Sequence, residues 1–173
     1  MPSHRLSVFA VDPGETTGWA VVSVPPESLL DRSINLLEDM EFDCGQLTGS
    51  EDAQAERLCD LAITFDGPVI IEDFTLRQFR MDRSLLSPVR VTAKLEYDIY
   101  LVNKDVGKES QIRIKKQQPS LAKSTATDAR LKEWGLWEVG APHARDAIRH
   151  AVTFLRRAKA DRKIRQWAWP DLK

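Results

Sequence analysis

The sequence predicts an α/β protein: a mixed sheet with helices on both of its faces. Three observations predict it. Two β-rich runs stand back to back near the N-terminus with only a polar turn between them. Further short apolar strands then alternate with amphipathic helical segments. The strongest helical pattern comes last, where a crossover helix would cover the sheet.

Leu6–Val11 is an apolar run suited to a central strand, halted by Asp12-Pro13-Gly14. Trp19–Val24 follows as an antiparallel return strand, closed by Pro25-Pro26. Met40, Phe42 and Cys44 alternate with polar neighbours and predict a third strand over Met40–Leu47. A helix is expected over 51–65, capped by Ser50, with Ala53, Leu58, Leu61, Ala62 and Phe65 on its apolar face. Gly67-Pro68 breaks it, and Val69–Glu72 reads as a short buried strand. Residues 74–83 form a basic, aromatic loop or crossover. A helix runs from Val89 to Asn103, a strand from Gln111 to Lys116, and a partly helical stretch from Ser120 to Trp134. The final helix spans Pro142–Lys159. The order β-β-β-α-β-α-β-α is a three-stranded meander followed by α/β crossovers. One domain over 1–160 is expected, with a tail over 161–173 whose Trp167 and Trp169 either pack back or stay loosely ordered.

At 173 residues such a domain buries a core without staples. Cys44 and Cys59 have no spacing that suggests zinc or a disulfide framework. Met1–Arg5 lacks the layout of a signal peptide, and no run approaches the ~20 apolar residues of a membrane span. A reducing cytoplasm is the expected compartment. The net charge of −1 conceals an asymmetry: residues 1–110 hold 10 Lys+Arg against 20 Asp+Glu, and residues 111–173 hold 15 against 6. A basic C-terminal third suits a polyanion, and equally suits a contact in which the halves neutralise each other.

Four ionisable groups stand out by position. Asp12 ends the first strand and Glu72 the fourth. His143 and Asp146, three apart at the start of the last helix, share a face. Strand ends meeting at one sheet edge would bring Asp12 and Glu72 together, and a helix over that edge would add the other two. Carboxylates so gathered repel unless a cation lies among them. Oxygen-rich clusters suit Mg²⁺ or Mn²⁺, and two such ions ~4 Å apart can activate water and stabilise a phosphodiester's leaving oxygen. Each residue has a plainer reading. Asp before Pro-Gly forms turns, Glu72-Asp73 can be a strand's polar end, and His143 and Asp146 can simply meet the helix dipole. Only the combination points to chemistry.

Asp12-Pro13-Gly14 with Thr17-Gly18-Trp19-Ala20 resembles the first motif of RuvC-type Holliday junction resolvases. Val69-Ile70-Ile71-Glu72-Asp73-Phe74 resembles their second, and His143-Ala144-Arg145-Asp146-Ala147 their last. The likeness is nearest to divergent bacteriophage members and follows the element order of nearly the whole chain. It implies an RNase H-like fold and a homodimeric endonuclease that hydrolyses DNA phosphodiesters with two Mg²⁺ or Mn²⁺ ions, resolving four-way junctions by paired nicks. On that resemblance Asp12 bridges both ions, Glu72 and Asp146 each hold one, and His143 ligates or orients near the second. The family often has an acidic residue where this chain has His143, and an imidazole nitrogen there favours Mn²⁺. The resemblance also makes Lys123 a catalytic candidate.

Lys115, Lys116 and Lys123 surround a strand–helix junction and are candidates for phosphate contact, with a solvated basic loop as the alternative. Arg145 and Arg149, with Arg156 and Lys159, fall near one side of the last helix and are further candidates. Arg77, Phe79 and Arg80 mix cations with an aromatic that could wedge between bases at a branch point, while Phe74 is expected in the core. Val91, Leu95, Ile99 and Val102 give the 89–103 helix an apolar stripe, suited to a dimer interface or to its own sheet. An RNA–DNA hybrid, flap or fork remains a rival substrate. A catalytically silent DNA-binding protein is the rival of another class. Asp-x-Gly with a following Thr also resembles actin-like ATPases, which need two such domains.

Overall fold

The computed structural model describes residues 5–75 and 83–172. The expected basic-aromatic residues Arg77, Phe79 and Arg80 lie outside them. β1 (Leu6–Asp12) pairs antiparallel with β2 (Thr17–Val24), which pairs antiparallel with β3 (Glu41–Leu47). β4 (Val69–Glu72) lies parallel to β1, and β5 (Ile114–Gln117) parallel to β4. The sheet order is β3-β2-β1-β4-β5, with β1 at the centre.

Strand periodicity sorts β1 between two cores. Val8 and Ala10 join Ile70 and the helix α6 (Pro142–Ala160) through Ala151, Phe154 and Leu155. Phe9 and Val11 join Ile71 and the pair α2 (Glu51–Phe65) and α3 (Ser87–Lys104) through Leu58, Ala62, Leu95 and Ile99. Asp12 and Glu72 therefore follow the α6 parity. Ser50 caps α2 by accepting from the Ala53 N–H at 3.2 Å. Ala53 itself is exposed, and Gln54, Ala55 and Cys59 turn inward with Leu58 instead.

Three elements depart from expectation. α1 (Pro26–Leu30) follows β2 directly, with Pro26 at its first turn and Leu29 buried. Its five residues are too few for a periodicity to show. The 120–134 stretch divides into α4 (Pro119–Thr125) and α5 (Asp128–Glu133), the latter capped by Thr127. The fifth strand begins three residues later than expected and runs through Gln117; before it, Gln111 and Ile112 hydrogen-bond to Asn103 at the end of α3. The tail forms α7 (Arg162–Ala168), and Ala168 and Trp169 pack into the α6-side core, with both Trp167 and Trp169 edge-on to Phe154. Among the described residues no helix is long and apolar enough to cross a membrane.

One glycine governs how α6 meets the sheet. A Cβ on Gly18 would stand 1.9 Å from the carbonyl oxygen of His143, so only glycine lets the start of α6 rest on β2.

Candidate active site

Val11 pairs with Ile71 and Glu72 with Gln117, so Asp12 and Glu72 end adjacent strands at the same edge. Pro142 opens α6 over that edge, and Gln46 of β3 accepts from the His143 N–H at 3.0 Å. The structure thus brings Asp12, Glu72, His143 and Asp146 to one end of the sheet. Asp12 is 9% exposed, and its Oδ2 lies 2.9 Å from the half-exposed His143 Nδ1. Burial pushes the Asp12 carboxyl up to about 6, the His143 bond opposes the rise, and repulsion from Glu72 and Asp146 adds to it. Glu72 Oε2 lies 2.7 Å from the Nε2 of a buried histidine, His150. Asp146 Oδ1 accepts from Arg149 Nε at 3.2 Å.

As the side chains stand, no three His, Cys, Asp or Glu residues among the described residues are gathered around a common point that could hold an ion. Asp12 and Glu72 each spend one oxygen on a histidine and keep the other. The donor set itself suits a hard divalent ion. Three carboxylates and an imidazole lie at the same end of the sheet, and Asp12 registers the repulsion of the other two carboxylates.

The basic residues take different places. Lys123 is exposed on α4, makes no ion pair among the described residues, and forms a wall shared by two clefts. One cleft runs past Pro13, Phe74 and Glu72, the other past Trp137, Arg145 and Asp146. Phe74 is half-buried on the first cleft rather than in the core. Arg145 lies 4.0 Å from the Trp137 ring centroid and donates to that residue's carbonyl at 2.9 Å. Arg156 sits similarly over Trp134, and Lys159 donates to the carbonyls of Ser28, Asp31 and Ile34.

The expectation for Arg149 is corrected. It is 5% exposed, and its donors go to Asp146, Asp128 and the Ala126 carbonyl, so it braces the site and is not free for phosphate. Lys115 and Lys116 lie on β5 and not in a loop: Lys115 Nζ is 5.3 Å from the Trp167 ring centroid, and Lys116 pairs with Glu96 at 3.2 Å. The Val91, Leu95, Ile99 stripe faces its own sheet with no exposure, and Val102 packs against the same core. The large apolar side chains that α3 leaves outside are Val89, Tyr97, Tyr100 and Leu101.

Sequence reasoning missed His150 and Gln117. His150 stands four residues beyond Asp146 and seven beyond His143, the spacing of one helix face, and that was the available signal.

No family model and no curated protein sequence matches the chain. Solved structures do. The fold is RNase H-like, a mixed five-stranded sheet flanked by helices. Thermus thermophilus RuvC in complex with a Holliday junction substrate superposes with a TM-score of 0.60 at 14% identity, over 90% of this chain and 96% of that one. A second structure of Thermus thermophilus RuvC gives 0.59 at 13% identity with the same coverage. At such identity the likeness establishes the fold.

Proposed function

We propose that this chain is a divalent-metal-dependent, structure-selective endonuclease that hydrolyses DNA phosphodiesters and resolves four-way junctions by paired nicks. The observation that carries the reading is the convergence of Asp12, Glu72, His143 and Asp146 at one sheet edge, in a fold shared with a resolvase that binds a Holliday junction. Asp12, Glu72 and Asp146 would hold the cations through oxygen, and His143 would join them once it turns from Asp12. Bound there, two Mg²⁺ or Mn²⁺ ions supply an activated water and a counter-charge for the leaving oxygen.

The chain's own groups do the rest. Arg149 holds Asp146 in place from within the core. Lys123, exposed between the two clefts, offers its ammonium to the scissile phosphate. Arg145, steadied by Trp137, contacts a neighbouring phosphate. Two copies related by a two-fold axis would nick two strands of a junction symmetrically.

The test incubates the protein with Mg²⁺ or Mn²⁺ and a mobile four-way junction, a linear duplex and an RNA–DNA hybrid, beside Asp146→Asn. Paired symmetric nicks that vanish in the variant are the expected result. Preferential cleavage of the hybrid would move the substrate class. Absence of any variant-sensitive cleavage would leave a silent DNA-binding module.

A further inference from the structure

His150 is 1% exposed, beneath the site on the inner face of α6. Its Nε2 lies 2.7 Å from Glu72 Oε2, and its Nδ1 lies 3.0 Å from Gln117 Nε2. A second contact fixes the direction of these bonds. The same Gln117 nitrogen lies 3.1 Å from the His150 carbonyl oxygen, which can only accept, so the amide's NH₂ end faces α6. Nδ1 therefore accepts from Gln117, the ring proton sits on Nε2, and Nε2 donates to Glu72. Gln117 Oε1 is buried with no partner among the described residues. Leaving such an oxygen unpaired costs about 1–3 kcal/mol. A side chain present only to fill space would avoid that cost, whereas one needed for its NH₂ end would not.

We propose that His150, held in one tautomer by Gln117, is a positioning residue for Glu72: it commits one carboxylate oxygen and leaves a single oxygen for a divalent cation. The proposal rests on the reading of Glu72 as a cation ligand. One-oxygen ligation suits Mg²⁺ or Mn²⁺, which keep compact octahedral shells. Ca²⁺ takes six to eight oxygens and often uses both oxygens of a carboxylate. The Gln117–His150 pair thus tilts the site away from Ca²⁺.

The experiment titrates the metal-free full chain calorimetrically with Mn²⁺, Mg²⁺ and Ca²⁺ alone, with thermal melts in EDTA as the control for folding. Glu72→Gln is expected to abolish binding at this site. His150→Leu should weaken Mn²⁺ and Mg²⁺ binding about tenfold or more, as loss of a ligand's supporting bond does elsewhere, and should weaken Ca²⁺ binding less. His150→Gln, whose carboxamide N–H reaches the same point as Nε2–H, should stay near wild type. Gln117→Met keeps the imidazole but frees its tautomer, and should shift the Mn²⁺/Ca²⁺ preference in the same direction as His150→Leu even if that variant folds poorly. Unchanged preference in both His150→Leu and Gln117→Met, or equal losses in His150→Leu and His150→Gln, would overturn the proposal. Metal binding that is absent in the wild type, or indifferent to Glu72→Gln, would overturn the parent reading of the site, and this one with it.

Discussion

The two long helices that cover the sheet, α3 and α6, bury themselves by different chemistry. α3 sends Val91, Leu95 and Ile99 against Phe9, Val11 and Ile71, and its most buried polar groups are Ser87 and Thr92. α6 buries Ile148, Phe154 and Leu155, and beside them Arg149, His150 and Thr153. Buried charges and imidazoles are costly unless paired. Those of α6 are paired: Arg149 with Asp146 on α6 itself and with Asp128 at the start of α5, His150 with Glu72 at the end of β4. Arg149 holds the Asp128 carboxyl below its usual range through that hydrogen bond. One helix is a lid on a core, the other a core helix that also carries the residues of the proposed site. Expensive polar burial marks the side of a symmetric-looking sandwich on which the proposed site lies.

That contrast can be broken from either side. The largest effect should come from Asp146→Asn, which removes a proposed ligand while keeping the volume: cleavage falls about a thousandfold, or about 4 kcal/mol in transition-state stabilisation, with the melting temperature little changed. Leu95→Ala on α3 should do the reverse. It loses about 3 kcal/mol of stability in urea unfolding, from a cavity in the core, while cleavage per folded molecule stays at the wild-type level. A melting change in the first variant as large as in the second would erase the distinction.

Asp12 sharpens it through pH. Its folded-state value, raised to about 6 from 3.8, lies above the unfolded one. The carboxyl therefore does not oppose folding below pH 4, where it is protonated in both states. Stability is lost as pH rises toward 6, and the loss persists above that. In EDTA at pH 7, Asp12→Asn should be more stable than wild type by about 3 kcal/mol, the worth of raising the carboxyl from 3.8 to about 6. The two stability curves should converge as pH falls to 4. Parallel curves would refute the burial argument. The smallest effect belongs to Lys123→Ala: about a tenfold drop in kcat with metal affinity unchanged, since the ammonium meets phosphate and not the ions. A change in metal affinity would place Lys123 elsewhere.

Much of this arrangement was legible in the residues. Apolar runs halted by Asp12-Pro13-Gly14 and ended by Glu72 located two strand ends, and the 143–146 spacing located a helix face. Helix α6 was clear because its apolar stripe is long. What was hidden depended on parity and partners. Ending the fifth strand at Lys116 left Gln117 without a face, and so left His150 without a reason. Arg149 reads as a surface cation because sequence shows charge but not the Asp128 and Ala126 groups that absorb it. The apolar stripe of α3 fits an interface and a core equally well until the sheet is in place. Five-residue α1 offered no period to detect.

The position of α6 late in the chain has a consequence for biosynthesis. A polypeptide emerging from its N-terminus first exposes β1 and β4 with Asp12 and Glu72 at their ends. One face of those strands stays uncovered until residues 142–160 follow. The same segment that shields Val8, Ala10 and Ile70 delivers His143, Asp146 and His150, and Gly18 lets its first turn come close to β2. Completing the hydrophobic core and bringing the residues of the proposed site together are one event, so a chain that ends before α6 is expected to be aggregation-prone and without the proposed activity.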